Sequence, residues 1–312
     1  MAVYTEISKA EVIDIASAYQ LKVNAFYPVE GGVSNSNYVI DCAEGKFMLT
    51  ILEDGGFEGA ERLVKLLSWF EKQHFFTTRM RSTAQGEKVL NWHSKPVFIK
   101  TFIPAKLYPE LQEAQLEKVG SALAKLHQIN PPAFLPKIHI YEQKRFAEVI
   151  GAGIDPDYEI WLSKKLKTFN GHLAIDAPQG IVHADLFADN ILFIENREPV
   201  IIDFEEACYH FLAFDLGMTI IGLCSKGDDI NYKHVKVLLN GYQKVRPLRN
   251  IEKEYLQFFI IYGAIRTSNW RYWKYHIENP NPERKNKHRE MMSIAEKVEQ
   301  IPTQTFINLA LK

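Results

Sequence analysis

The sequence predicts an α+β protein in two lobes: residues 1–103 form a small lobe on an antiparallel sheet with one or two helices, and residues 104–312 a larger, mostly helical lobe. Three observations carry that prediction. Short apolar runs broken by Gly, Pro and Asn fill residues 26–52 and 88–102. Beyond Pro104, apolar residues recur at three- and four-residue spacing. The stretch from Ile181 to Asn190, with His183, Asp185, Asp189 and Asn190 set among apolar residues and followed by a strand-turn-strand pattern ending at Asp203, interrupts the helical half.

Ser8-Lys9-Ala10-Glu11 has capping-box spacing, and Val12, Ile15, Ala16 and Tyr19 follow at helical intervals, so a helix starts there. Phe26–Val29, Tyr38–Asp41 and Lys46–Leu52 read as strands, with a turn at Ala43-Glu44-Gly45. The first two strands flank Glu30-Gly31-Gly32-Val33-Ser34-Asn35-Ser36-Asn37. The glycines let the backbone approach phosphate oxygens, and Ser34, Asn35, Ser36 and Asn37 add donors; an ordinary hairpin tip reads the same way. Residues 58–73 read as a helix with Leu63, Leu66, Leu67 and Phe70 on one face. Its Glu61 is equally a partner for a phosphate-binding lysine and a solvated helix-start acid. Strand signals return at Lys88–Leu90 and Pro96–Phe102, and Pro104 marks the lobe boundary because it has no N–H for a ladder.

In the large lobe Leu116, Val119, Leu123 and Leu126 set a helix within 111–129. Pro131, Pro132 and Pro136 end that pattern, and a mixed, partly helical segment runs to Phe169. Helices are expected over 213–223, 232–245, 251–274 and 284–298, with Pro280 and Pro282 between the last two. Lys285, Lys287, His288 and Arg289 read as a solvated helix face.

Composition is that of an ordinary globule, 46% hydrophobic and 24% charged. Lysine and arginine (37) nearly balance aspartate and glutamate (38), and the net charge of -1 gives no global reason to expect nucleic acid or an anionic membrane. Three widely spaced cysteines, Cys42, Cys208 and Cys224, suit free thiols in a reducing compartment. The start lacks a basic and apolar leader, and the apolar run 258–265 is too short to span a bilayer, so a cytoplasmic protein is expected.

The central stretch is His183-Ala184-Asp185-Leu186-Phe187-Ala188-Asp189-Asn190. An aspartate two residues after histidine and five before asparagine has the spacing of a kinase catalytic loop, where the aspartate faces the attacking hydroxyl and the asparagine reaches Mg²⁺. Ile191–Ile194 and Pro199–Ile202, split by Glu195-Asn196-Arg197-Glu198, read as a hairpin that returns Asp203 beside Asn190. Two oxygen ligands then converge on one hard cation. A zinc site from His183, Asp185 and His210 is the rival, weakened by its oxygen-rich donors and the absence of paired cysteines. With the loop in place, the fold class becomes a bilobal protein-kinase-like fold whose residues 1–103 cover a nucleotide.

Together these residues resemble the aminoglycoside phosphotransferase and choline kinase superfamily, and within it the homoserine kinases. The resemblance runs through the opening Met1–Thr5, Glu30–Tyr38, Phe47–Glu53, His183–Asn190 with Ile202-Asp203-Phe204, and Gly241–Leu248; residues 130–175 and 275–312 carry little of it. It implies ATP and Mg²⁺, with Asp185 orienting the substrate hydroxyl and accepting its proton, and with Asn190 and Asp203 on the metal. It further implies that Asp215 braces the catalytic loop, that His183 bonds backbone, and that adenine meets the main chain of Thr101, Phe102 and Ile103. The sequence departs from most of the superfamily at Thr50, where a phosphate-binding lysine is usual, as the homoserine-kinase branch often does. Lys100 is a candidate replacement, though a strand-end lysine reads as exposed.

The expected acceptor is a small molecule with a hydroxyl, L-homoserine first. An amino acid needs a cation for its carboxylate and an acid for its ammonium. Arg266 and Arg271 are the candidates for the first, Glu205 and Glu206 for the second, each with an ordinary ion pair as its plain alternative. Aromatic residues from Trp270 to Tyr275 would instead suit a quaternary ammonium such as choline, or simply a helical core. An aminoglycoside or another amino alcohol is a further acceptor alternative, and a catalytically idle nucleotide-binding regulator, prompted by Thr50, is the alternative from another class.

Overall fold

The computed structural model describes residues 5–29, 35–137, 142–169 and 175–311. The chain divides into two units, Met1–Ala105 and Lys106–Lys312.

In the first unit the capping box at Ser8 starts α1 (Lys9–Ala18): the Ser8 hydroxyl oxygen accepts from the Glu11 N–H, and the Glu11 carboxylate from the Ser8 N–H. Strands β1 (Val23–Pro28), β2 (Ser36–Cys42) and β3 (Gly45–Ile51) form an antiparallel meander; after α2 (Gly56–Lys72) come β4 (Leu90–Trp92) and β5 (Lys95–Thr101). The sheet order is β1-β2-β3-β5-β4. Burial alternates along β2 with period two, which fixes its register: Asn37 lies opposite Thr50 and Ile40 opposite Phe47. Val12, Ile15 and Tyr19 of α1 pack with Ile40, Leu49, Ile51, Val97 and Ile99 on one face. Phe98 and its cross-strand partner Thr50 are buried on the other, where α2 packs against β5.

The second unit starts with α3 (Glu113–His127), α4 (Glu142–Val149) and α5 (Pro156–Phe169), then strands β6 (Gln179–Val182), β7 (Ile191–Leu192), β8 (Val200–Ile201) and β9 (Cys208–Phe211). α6 (Leu212–Cys224) follows, with short β10 (Ser225–Lys226) and β11 (Asp229–Ile230), then α7 (Tyr232–Val245), α8 (Asn250–Tyr272), α9 (Lys287–Glu299) and α10 (Thr303–Leu311). α3 and α7 cross with their backbones in contact. A Cβ on Gly120 would lie 2.0 Å from the Leu238 carbonyl oxygen, and one on Gly241 1.9 Å from that of Glu117. Only glycine allows that approach.

Four features differ from the sequence reading, the first being that His288, read as part of a solvated helix face, is buried. The hairpin runs 191–194 and 199–202 pair only as Ile191–Leu192 with Val200–Ile201, because Phe193 bonds instead to Lys106. The helix expected to reach 274 stops at Tyr272 and widens into a π-helical turn, Trp273–Glu278, with the Asn279 N–H donating to the Lys274 carbonyl. β9, which pairs antiparallel with β6, and α10 had no clear signal. Among the described residues no helix is long and apolar enough to cross a membrane.

Candidate active site

β6 delivers the chain into the His183–Asn190 loop, which is closed by two hydrogen-bonded turns of its own. The Phe187 N–H donates to the Asp185 carbonyl at 3.0 Å, and the Asn190 N–H to the Phe187 carbonyl at 3.0 Å. His183 is fully buried; its Nε2 is 2.8 Å from the Ile202 carbonyl and its Nδ1 3.2 Å from the Asp185 N–H. Those partners assign the neutral Nε2–H tautomer, since one is an acceptor and the other a donor. Burial pushes the His183 pKa down, in keeping with a neutral ring. Both nitrogens are committed to backbone, so His183 cannot ligate zinc, and among the described residues no group of three or more His, Cys, Asp or Glu suits a metal.

The loop hangs from Asp215 in the first turn of α6. One carboxylate oxygen accepts from the His183 N–H at 2.7 Å and the other from the Ala184 N–H at 2.8 Å. Ala184 holds φ = +67°, and the Asp215 bond to its N–H helps retain that left-handed backbone. Asp215 also meets His127 Nε2 at 3.0 Å, His127 Nδ1 lies 2.7 Å from the Tyr242 hydroxyl, and Arg246 donates to that hydroxyl at 3.0 Å. Arg246 closes the chain on Glu252 with two bonds, 2.9 and 3.1 Å. Burial alone would raise the Asp215 pKa, but the His127 bond and the His183 N–H outweigh it and hold the carboxyl below its ordinary value. The relay explains much of the Gly241–Leu248 run: Gly241 lets α7 reach α3, Tyr242 meets His127, and Arg246 anchors Tyr242. Sequence reading missed His127, although it continues the buried 116, 119, 123 stripe of α3.

The hairpin brings Asp203 to Asn190. The Ile202 N–H donates to the Asn190 carbonyl at 3.0 Å, one residue before Asp203. Asn190 Nδ2 donates to the Asp185 carbonyl at 2.8 Å, which leaves Oδ1 as the amide's acceptor end. Asp203 is exposed, at φ = +67°. One amide oxygen and one carboxylate, without sulfur or imidazole, suit a hard cation that takes its remaining ligands from phosphate and water.

Charge gathers around Asp185. Burial raises its pKa well above the ordinary value, Glu206 and Asp189 push the same way, and Arg266 and Arg145 oppose them. Glu205 and Glu206 occupy a turn closed by the Ala207 N–H on the Phe204 carbonyl at 3.2 Å. Arg266 sits over the Phe214 ring at 5.0 Å, and Arg145 over the Trp273 ring at 4.9 Å. Arg271 turns to α9 instead, donating to Glu290 at 3.1 Å and to the Lys287 carbonyl at 3.0 Å. Arg145, on α4, carried no sequence signal.

In the first unit Gly31, Gly32 and Ser34, with residues 1–4, lie outside the described residues. The loop's far stem turns its side chains inward. The buried Ser36 hydroxyl donates to Glu53 at 2.5 Å, and Thr50 donates to Asn37 at 2.7 Å. Asn35 Oδ1 accepts from the Glu53 N–H at 3.3 Å, and Lys95 pairs with Glu53 at 2.5 Å. The Ser36 hydroxyl and Asn37 Oδ1 therefore brace the stem, and Thr50 fills the usual lysine position as part of that brace. Glu61 is exposed beside Lys65 at 4.0 Å, which is its solvated reading. Lys100 Nζ lies 5.4 Å from the Phe98 ring. The Thr101 N–H is taken by the Arg79 carbonyl at 2.8 Å, so of the three hinge residues only Phe102 and Ile103 have N–H groups outside the described main-chain pairing.

An antiparallel five-stranded sheet in one unit, and in the other a helical frame around an H-x-D-x₄-N loop with a returning Asp, define a small-molecule kinase of the protein-kinase-like class. The chain belongs to the phosphotransferase enzyme family, which matches residues 26–248. A homoserine kinase of Caulobacter vibrioides is 29% identical over 282 residues, covering 85% of this chain and 87% of its own. One from Nitrobacter winogradskyi is 27% identical, with 85% and 84% covered. Among solved structures, an amicoumacin kinase in complex with AMP-PNP and Ca²⁺ superposes with TM-score 0.75 at 14% identity, covering 96% of this chain and 97% of its own. A microcompartment-associated aminopropanol kinase gives TM-score 0.73 at 15% identity, covering 98% and 99%. The superfamily and the fold are as the sequence implied.

Proposed function

We propose that this kinase transfers the γ-phosphoryl group of ATP to the side-chain hydroxyl of L-homoserine. The observation that carries the reading is the convergence at one loop of Asp185, Asn190 and the hairpin-returned Asp203; the homoserine kinases matched over 85% of the chain supply the acceptor. Asn190 Oδ1 and Asp203 would hold Mg²⁺, which would supply neutralisation of the nucleotide's phosphate charge. Asp185 holds the acceptor hydroxyl in line and takes its proton as the oxygen bonds to the γ-phosphorus and the bond from that phosphorus to the leaving ADP oxygen breaks. Arg266 and Arg145 counter the negative charge that Glu206 and Asp189 place on Asp185. The main chain of Phe102 and Ile103 receives adenine. Three buried free thiols suit a cytoplasmic setting.

Choline is the alternative that the aromatic cluster would favour, but the Trp273 face a quaternary ammonium would use is covered by Arg145. ADP release with ATP·Mg²⁺ and, in turn, homoserine, choline, methylthioribose and kanamycin tests the reading. Homoserine is expected to give the highest kcat/KM. A higher value with any of the other three refutes the acceptor assignment, and ATP binding without turnover on the whole panel refutes the kinase reaction.

A further inference from the structure

The acceptor needs a carboxylate partner, and two arginines stand near Asp185. They are held differently. Arg266 comes from α8 and lies over Phe214, itself 1% exposed, with Nη1 buried, and α8 packs against the α6 that carries Asp215. Arg145 comes from α4, an element outside the loop and its relay. Its guanidinium lies on the Trp273 indole at 4.9 Å and 4.0 Å from Glu206. The indole in turn is fixed by its Nε1–H, which donates to Glu148 at 2.5 Å, one helical turn along α4 from Arg145. Trp273 is the first residue of the π-helical turn where α8 widens, and α4 packs on both α8 and that turn. A π-helical turn is an uncommon local structure, recurrent at functional sites, and here it carries the indole that stacks on Arg145.

An aromatic ring engages the face of a guanidinium, whereas a carboxylate is met by the N–H groups in its plane. Glu206 beside it supplies the opposite charge, on the turn that directly follows Asp203. Cation, acid and hydroxyl-binding aspartate are the three complements of a zwitterionic amino alcohol.

We propose that Arg145, oriented by Trp273 and Glu206, binds the carboxylate of the acceptor and makes this kinase select a carboxylate-bearing amino alcohol over the same alcohol without it. Glu206 takes the acceptor's ammonium. The inference rests on the homoserine kinase reading and assigns its specificity to a residue with no sequence signature.

The test compares kcat/KM for L-homoserine and for 3-amino-1-propanol, which keeps the hydroxyl-to-amine spacing and lacks the carboxylate, in the wild type, Arg145→Gln and Arg145→Lys. In Arg145→Gln the homoserine-to-aminopropanol ratio is expected to fall about 30-fold or more, chiefly through the KM for homoserine. Arg145→Lys, which keeps charge and loses the fork, falls to an intermediate ratio and serves alone if the glutamine variant does not fold. A ratio within about threefold of wild type in the folded variants, whatever happens to each rate, overturns the assignment while leaving the homoserine reading intact. A wild type that prefers aminopropanol to homoserine overturns both.

Discussion

Tyr242→Phe is the cleanest probe of how the catalytic loop is held. The substitution keeps the ring, which is fully buried, and deletes one oxygen. That oxygen accepts from Arg246 at 3.0 Å and meets His127 Nδ1 at 2.7 Å. Because the Asp215 carboxylate accepts from His127 Nε2–H, the neutral ring's Nδ1 accepts the Tyr242 hydroxyl hydrogen, so the variant leaves a buried imidazole nitrogen without its donor. An orphaned buried acceptor costs about 1–3 kcal/mol, while Arg246 keeps both bonds to Glu252 and loses little. The expected loss is about 2 kcal/mol, read as a lower urea midpoint at unchanged m-value. The Asp215 oxygen that His127 supports also holds the His183 N–H, so kcat should fall a few-fold with KM for ATP nearly constant. Combined with His127→Gln in a double-mutant cycle, the two losses should be non-additive by about 1 kcal/mol. A Tyr242→Phe enzyme within about 0.5 kcal/mol of wild type, with additive cycles, would show that the relay transmits no energy.

Four further outcomes follow from the geometry. Asp185→Asn should lower kcat about 10³-fold or more while ATP affinity measured by calorimetry stays near wild type; near-normal turnover would remove Asp185 from the chemistry. Asp203→Asn and Asn190→Ala should each raise the Mg²⁺ concentration needed for half-maximal activity about tenfold or more, and chelation should abolish wild-type turnover reversibly. Gly241→Ala forces a Cβ to within 1.9 Å of the Glu117 carbonyl oxygen, backbone against backbone, so it should cost about 3 kcal/mol or more by denaturation, whereas Gly45→Ala meets no atom within 4 Å and is strained only by its φ of +122°. Burial holds His288 down to about 4, so the folded protein binds fewer protons than the unfolded chain between pH 6.5 and 4. Stability contributed by its neutral form is complete above 6.5 and lost as pH falls through that window, and His288→Gln should flatten the fall in unfolding midpoint between pH 7 and 5.

What the sequence disclosed follows a physical divide. Covalent neighbours and short hairpins were legible: the Ser8 capping box, the β2–β3 meander, and the return of Asp203 to Asn190 all depend on residues within about fifteen positions. Packing periodicity likewise disclosed α2, α3 and α7. What stayed hidden depends on long-range contacts that no local spacing encodes. Arg145 reaches Trp273 across 128 positions, and β9 forms only because β6 lies beside it. The π-helical turn is equally silent, since Trp273 to Glu278 continues a helical composition and its widening is set by what α8 packs against. Ser36 misled for a related reason: a serine in a polar loop reads as a donor to ligand, and only the position of Glu53 shows that its hydroxyl is already donated.

The second unit keeps its two tasks on different supports. Asp215, His127 and Tyr242 are buried, and each has hydrogen-bond partners, so the loop they hold has one low-energy arrangement; any displacement breaks several bonds at once. Phosphoryl transfer needs that rigidity, because its rate depends on alignment and fixed charge more than on bonds made by the protein. Arg145, Trp273 and Glu206 are partly buried side chains on α4, a helix end and a turn. A substitution there changes which alcohol is held while the Asp215 bonds that suspend the loop stay in place, although the charges of Arg145 and Glu206 also act on Asp185. The arrangement therefore permits acceptor choice to diverge among relatives that share the loop, and it places the residues most worth exchanging between them on α4 and the turn after α8 rather than in the motif itself.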